Sequence, residues 1–159
     1  MKLLDLQMEH SLAVARRMHE IVEQRPSEFS CNPEDAFVLG LLHDIGYAFA
    51  PESEYHADVG GIILKYHGYP LWQEVYHHHS VDGIYSSQLL ELLNYVDMTT
   101  NEKGQVVSTE ERIEEIGNIF GKGSFPEINA VAMALTLKDF SETTEPKKKG
   151  AFTKLLGKL

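Results

Sequence analysis

The sequence predicts an all-α, single-domain bundle of about six or seven helices. Every long apolar pattern has a spacing of three to four residues, helix caps mark several starts, and no strand pattern of comparable strength occurs. A chain of 159 residues has the length of one ordinary domain and can bury a core without disulfides. We therefore expect a domain over residues 1–142 and a flexible basic tail over residues 143–159.

The first two helices have the clearest signals. A helix from Leu3 to about Arg25 is predicted by its apolar spacing, and it carries His10 near its middle. The second helix should begin with Asn32 as N-cap and stop at Gly46.

The remaining helices follow from similar patterns. Ser108 and Glu111 form the capping box of a sixth helix that ends near Gly121. The others are predicted over residues 54–66, from Pro70 through the histidine run 77–79, and over residues 86–97 and 126–140.

The charge and composition exclude several classes of function. A formal net charge of -10 disfavours general binding to nucleic acid, which depends on lysine and arginine. The tail holds five Lys and one Glu, which leaves 9 basic and 23 acidic residues, a formal -14, in the rest of the chain. No apolar run is long enough for stable membrane insertion, and the N-terminus does not read as a signal peptide, so we expect a cytoplasmic protein. Cys31 is the only cysteine, so it cannot form an intramolecular disulfide, and we expect a plain thiol.

The histidines are clustered in a way that indicates a metal site. Six of the eight fall between residues 43 and 79, and the pair His43-Asp44 lies at a predicted helix end beside Gly46. Imidazole and carboxylate together suit divalent zinc, iron or manganese, and one carboxylate can bridge two ions.

Four segments in order resemble the ligand-bearing segments of the HD superfamily. They are EHSLAVARRM, AFVLGLLHDIGYA, YHADVGGIILKYHGYPLWQEVYHHHS and LLNYVDMTT, and a weaker similarity continues through DMTTNEKGQVVSTEERIEEI. The resemblance implies a helical, metal-dependent phosphohydrolase. It also implies that His10, His43, Asp44 and Asp97 bind a divalent metal, whose identity (Fe, Mn, Zn, Ni, Co or Mg) stays open, as does its number of one or two ions.

Members of the superfamily that hold two metals have further histidine ligands. The resemblance makes His56 and His78 the candidates for the second ion, and His78 is chosen because it follows the apolar Val75 by three residues. His79 is the reserve, and His77 is expected to face solvent.

The resemblance implies hydrolysis of a phosphate ester or phosphoanhydride, in a nucleotide-type small molecule, by a metal-activated water. Asp44 is then the central catalytic residue. Arg17 shares the helix face of His10 and is a candidate substrate-binding residue, although a surface salt bridge is the preferred role. Tyr47 replaces a lysine that binds phosphate in many members and could contact substrate or cover the site. His19 and His67 match no ligand position.

Two other functions share the same ligand pattern. One is a regulatory HD module that binds a nucleotide without turnover, and the other is a di-iron HD-type oxygenase. The complete ligand set argues against a decayed module, and phosphohydrolysis is the commoner activity of the superfamily. The expected partner is a small phosphorylated substrate, and a homo-oligomer is possible.

Overall fold

The computed structural model describes residues 3–51 and 55–141. Across these residues the chain is helical, and its sole β feature is an isolated bridge between Thr100 and Val106. The prediction of an all-α fold is confirmed, and the predicted basic tail lies outside the described residues. The helices are α1 (Leu3–Gln24), α2 (Pro33–Leu42), α3 (His56–Tyr66), α4 (Trp72–His77), α5 (Gln88–Met98), α6 (Thr109–Phe120) and α7 (Phe125–Thr136).

Side-chain caps begin four of these helices. The Asn32 side chain accepts a hydrogen bond from the backbone N–H of Asp35 at α2, and Ser108 accepts one from Glu111 at α6, as predicted. Ser87 and Ser124 cap α5 and α7 in the same way.

Three predicted helix ends, those of α2, α4 and α7, are wrong. α2 ends at Leu42 instead of continuing to Gly46. α4 ends at His77, so His78 and His79 lie beyond the helix instead of on it. The backbone N–H of His78 bonds to the Val75 carbonyl, which closes the last turn. α7 ends at Thr136 because Leu137 is extended, and the chain then continues to Phe140, which is buried against the main core.

The helices pack around one main core and one smaller core. The main core joins α1, α2 and α5 through residues such as Met18, Leu39 and Leu93, all fully buried. The smaller core contains Met98, Ile116, Ala130 and Met133 and joins the end of α5 to α6 and α7. α5 therefore connects the two cores and carries Asp97 between them.

Glycines allow close approaches at the end of the bundle that holds the histidines. A Cβ at Gly40 would lie 2.7 Å from the Cα of Ala15, so α1 and α2 are in backbone contact. Gly46 belongs to a 3-10 turn, Ile45–Ala48, that leads from α2 toward α3. A Cβ there would collide with the carbonyl oxygen of His56. Gly46 lies beyond the end of α2 and brings this turn against the start of α3.

None of the described helices combines the length and the apolar character that crossing a membrane requires.

Candidate metal centre

Six side chains from distant parts of the sequence meet at one end of the bundle. They are His10 on α1, His43 and Asp44 directly after α2, His56 at the start of α3, His78 directly after α4, and Asp97 on α5. The structure thus brings together all six residues that the sequence offered as metal ligands.

His10 lies between two hydrogen-bond acceptors. Its Nδ1 is 3.1 Å from the carbonyl oxygen of Asn101, which can only accept, so Nδ1 carries a proton. Its Nε2 is 2.8 Å from Oδ1 of Asp97. Contact between the lone pair of a neutral imidazole and a carboxylate would be repulsive, so this position requires either a second ring proton or a shared cation.

His43 and His78 have the same fixed ring orientation. The Nδ1–H of His43 donates to the carbonyl of Gly40, and that of His78 donates to the carbonyl of Val75, each over 2.6 Å. Because Nδ1 is the backbone donor in each ring, Nε2 faces the cluster and is the nitrogen that could bind a metal. A backbone partner of this kind is typical of histidines that bind metals.

Asp44 is the carboxylate that the histidines share. Its Oδ1 lies 3.3 Å from Nε2 of His56 and 3.3 Å from Nε2 of His78, while its Oδ2 lies 3.2 Å from Nε2 of His43 and 3.9 Å from Nε2 of His10. Each oxygen therefore faces a different pair of imidazoles. Such a carboxylate is placed to serve two cation positions.

Unsatisfied buried atoms test whether these residues fit a cation. Nε2 of His43 and Nε2 of His56 are buried and have no hydrogen-bond partner among the described residues, which is costly for a polar atom. Ligand atoms about 2.0–2.2 Å from one ion lie roughly 3–4 Å from each other, the range of the distances above. Imidazole nitrogens and carboxylate oxygens also form a donor set that suits divalent transition metals. The cluster fits one or two divalent ions.

The electrostatics keep both carboxylates ionised. Burial alone would raise the pKa of Asp44, but His43 and the other facing histidines lower it well below its usual range. Burial likewise opposes the charge of Asp97, while the close contacts with His10 and His43 lower its pKa. Burial also opposes the charge of His43, but Asp44 and Asp97 raise its pKa well above its usual range. Burial lowers the pKa of His78, which favours the neutral ring that binds a metal. Without a metal ion the cluster thus combines anionic oxygens with a charged His43 and a neutral His78, and a metal bound at His43 would displace its proton.

The histidine run contributes two side chains to the cluster. His79, the reserve ligand, has Nε2 3.5 Å from Oδ2 of Asp97 and could hold a metal ion together with Asp44, His56 and His78. His77 stacks on the ring of Tyr85 with centroids 5.0 Å apart, away from the cluster.

The two candidate substrate-binding residues, Tyr47 and Arg17, have different surroundings. The Tyr47 ring stacks on the His56 ring with centroids 4.0 Å apart, and it lines the cavity beside the cluster. Burial raises the pKa of its phenol, which therefore stays neutral. The structure does not bring Arg17 to this cavity. Its Nη1 donates to the carbonyl and hydroxyl oxygens of Thr99 over 3.0 and 2.9 Å, and to the Thr100 hydroxyl over 2.8 Å.

The two histidines that match no ligand position lie apart from the cluster. His19 is 3.6 Å from a carboxylate oxygen of Glu23, one turn along α1. His67, at the end of α3, is in edge contact with the ring of Tyr66.

Arg112 is a site residue that the sequence analysis missed. This α6 side chain is only 6% exposed, and its Nη1 donates to Glu115 over 2.6 Å and to Glu102 over 3.0 Å. Its Nη2 lies 3.7 Å from Oδ1 of Asp97, and its Nε is buried without a hydrogen-bond partner among the described residues. An arginine flanked by glutamates on a helix normally indicates a surface salt bridge, so the sequence carries no signal for this position.

A cavity of about 520 Å³ opens onto the cluster. Its lining includes Asp44, His56, His79 and Asp97 of the cluster, together with Arg112 and Glu102. It also includes apolar residues of α6 and α7. The volume lies within the range of small-molecule sites.

The comparisons with known proteins agree with this geometry. The HD domain family model matches residues 8–118, which include every one of the six clustered side chains. The chain belongs to the HD domain family. Comparisons with curated proteins and with solved structures gave no match.

Membership confirms the resemblance seen in the sequence. HD domains are typically metal-dependent phosphohydrolases, and this chain has a His/Asp cluster that could hold a divalent metal. The match ends inside α6, so α7 and its apolar residues extend the site beyond the matched region.

Proposed function

We propose that this HD domain hydrolyses a phosphate ester or phosphoanhydride of a small, nucleotide-type molecule with a divalent metal at the His/Asp cluster. The observation that carries the proposal is that six His and Asp side chains meet in one cluster. Two of its buried nitrogens, Nε2 of His43 and Nε2 of His56, have no hydrogen-bond partner among the described residues. A structural role alone would not require an adjoining cavity of ligand size.

The residues divide into two overlapping sets with Asp44 in common. His10, His43 and Asp44 could hold one ion together with Asp97, and Asp44 with His56, His78 or His79 could hold a second. A bound divalent ion would lower the pKa of a water and neutralise charge on the phosphoryl oxygens.

The protein side chains then orient the reaction. In hydrolysis the water oxygen forms a new P–O bond, the P–O bond to the leaving group breaks, and the leaving oxygen ends up protonated. Asp44 and Asp97 remain anionic and hold the imidazoles in their orientation. Tyr47 covers the outer face of His56 and limits access of bulk water to that ring.

The test is metal content followed by turnover. Protein purified without oxygen and loaded separately with manganese, iron or zinc should carry at least one ion per chain and release phosphate or a nucleotide from a panel of nucleotides, dinucleotides and generic phosphate esters. Metal binding without turnover of any ester would favour the regulatory module, and oxygen consumption with iron would favour the oxygenase. Absence of metal after reconstitution would reject the proposal.

A further inference from the structure

The cavity beside the cluster has an apolar wall that the proposed chemistry does not use. Ile119 and Phe120 at the end of α6 and Phe125 at the start of α7 line it, in the same cavity as Asp44 and His56. These three side chains remain 44%, 43% and 58% exposed. Large apolar side chains that stay exposed beside a ligand-sized cavity indicate a surface that a bound molecule covers.

The cavity is poor in positive charge. Among the described residues that line it, Arg112 is the only Lys or Arg, whereas Asp58, Asp82 and Glu102 add carboxylates outside the metal-type cluster. A single phosphate placed at the cluster would meet the ions and Arg112. The further phosphates of a diphosphate or triphosphate would have no lysine or arginine to pair with and would lie near Asp58 and Asp82, which repel them.

Arg112 has donors to offer such a phosphate. Its Nη1 is occupied by Glu102 and Glu115, but its Nε is buried and unpartnered among the described residues. Its Nη2 has only the long contact of 3.7 Å with Asp97. The Nε and Nη2 edge of a guanidinium matches two oxygens of a phosphate group.

We propose that the ligand is a phosphomonoester with an aromatic or otherwise apolar organic group. Its phosphate lies between the cluster and Arg112, and its organic group packs on Ile119, Phe120 and Phe125. This inference rests on the proposed hydrolase function and narrows it from phosphate compounds in general to monoesters, which yield inorganic phosphate and an alcohol.

Binding of phosphonates tests the substrate class without turnover. Phenylphosphonate and methylphosphonate carry the same charged group and differ in the apolar part, and neither has a P–O–C bond to hydrolyse. Calorimetry on the full-length, metal-loaded protein should show phenylphosphonate binding about tenfold more tightly, because its ring buries the apolar wall. Phe120→Ser should abolish that preference by weakening the binding of phenylphosphonate. Leu135→Ser, on α7 outside the cavity and 83% exposed, is the matched control and should keep it.

Nucleotides and charge variants test the role of charge in the cavity. AMP should bind more tightly than ADP, and the double variant Asp58→Asn/Asp82→Asn should narrow that difference several-fold. Arg112→Gln should weaken methylphosphonate binding, and Arg112→Lys should restore part of it while also showing that the fold tolerates the change. Equal affinity for the two phosphonates, or a preference for ADP over AMP, would overturn the inference. If the phosphonates bind as expected and no ester is hydrolysed, the proposed function fails while the ligand class stands.

Discussion

Replacing Asp44 by asparagine removes one negative charge from the centre of the cluster and preserves the size of the side chain. Both oxygens face imidazole nitrogens, with distances of 3.2 Å to His43 and 3.3 Å to His56 and His78. At about 3.3 Å and an effective dielectric constant of about 20, the Asp44 carboxylate and one positive charge of an ion bound among these nitrogens would attract by about 5 kcal/mol. Since about 1.4 kcal/mol corresponds to a factor of ten, metal affinity should fall by about 10³- to 10⁴-fold.

The assay for Asp44→Asn combines metal titration, phosphate release and far-ultraviolet circular dichroism. The helical signal should remain, while metal occupancy at micromolar concentration and turnover should both be lost. Asp35→Asn is the matched control, because Asp35 is exposed in the first turn of α2 and remote from the cluster in its contacts. Full metal content together with full activity in Asp44→Asn would refute the assignment of this cluster as the catalytic centre.

Three further predictions concern His78, Gly46 and the C-terminal tail. Burial keeps the pKa of His78 below 6.5 in the metal-free fold, so as the pH falls the unfolded chain binds a proton at this residue before the folded protein does. The contribution of His78 to stability should therefore fall as the pH drops below 6.5. His78→Gln should reduce this fall in urea unfolding between about pH 5 and 7 and, if two ions bind, halve the metal content. Gly46→Ala should destabilise the protein by about 1–3 kcal/mol and weaken metal binding, because its Cβ would collide with the His56 carbonyl; Gly68→Ala, which has open space around it, should leave metal binding unchanged. Removal of residues 145–159 should leave phosphate release intact, and a large loss would place the domain boundary elsewhere.

The residues of the cluster could be predicted because contiguous segments of the chain resemble the ligand-bearing segments of the HD superfamily. Helical spacing and the N-cap at Asn32 added the helices on which His10 and Asp97 lie and the helix that His43-Asp44 follows. The position of His78 after an apolar residue also identified a cluster residue. The reasoning behind that choice was partly wrong, because His78 and His79 lie beyond the end of α4, and helical phase cannot separate two residues in a non-helical segment.

The rest of the site depends on contacts between distant segments. Arg112 lies near Asp97 because the smaller core brings α6 to the end of α5, and the apolar wall forms only where α6 meets α7. The role of Gly46 is similar: a helix-stopping glycine and a glycine in contact with the next helix look identical in sequence. Nothing in a single sequence reports such contacts.

Metal removal should abolish binding of phosphate compounds as well as turnover. Without ions the described lining of the cavity holds the carboxylates of Asp44, Asp97 and Glu102 close to one guanidinium, that of Arg112, so the local charge is negative. This follows the acidity of the whole chain, with its formal net charge of -10, and leaves Arg112 too outnumbered to attract a dianion.

The affinity of chelator-treated protein for methylphosphonate should therefore be lower by at least about 100-fold, and added manganese or zinc should restore it. The thermal shift caused by the ligand gives an independent readout, because a ligand stabilises only the folded form that binds it. If methylphosphonate bound the metal-free protein as tightly as the loaded one, its site would lie away from the carboxylates. That result would contradict the proposed position of the phosphate between the cluster and Arg112, because a guanidinium that already pairs with two glutamates is a weak anion site without the ions.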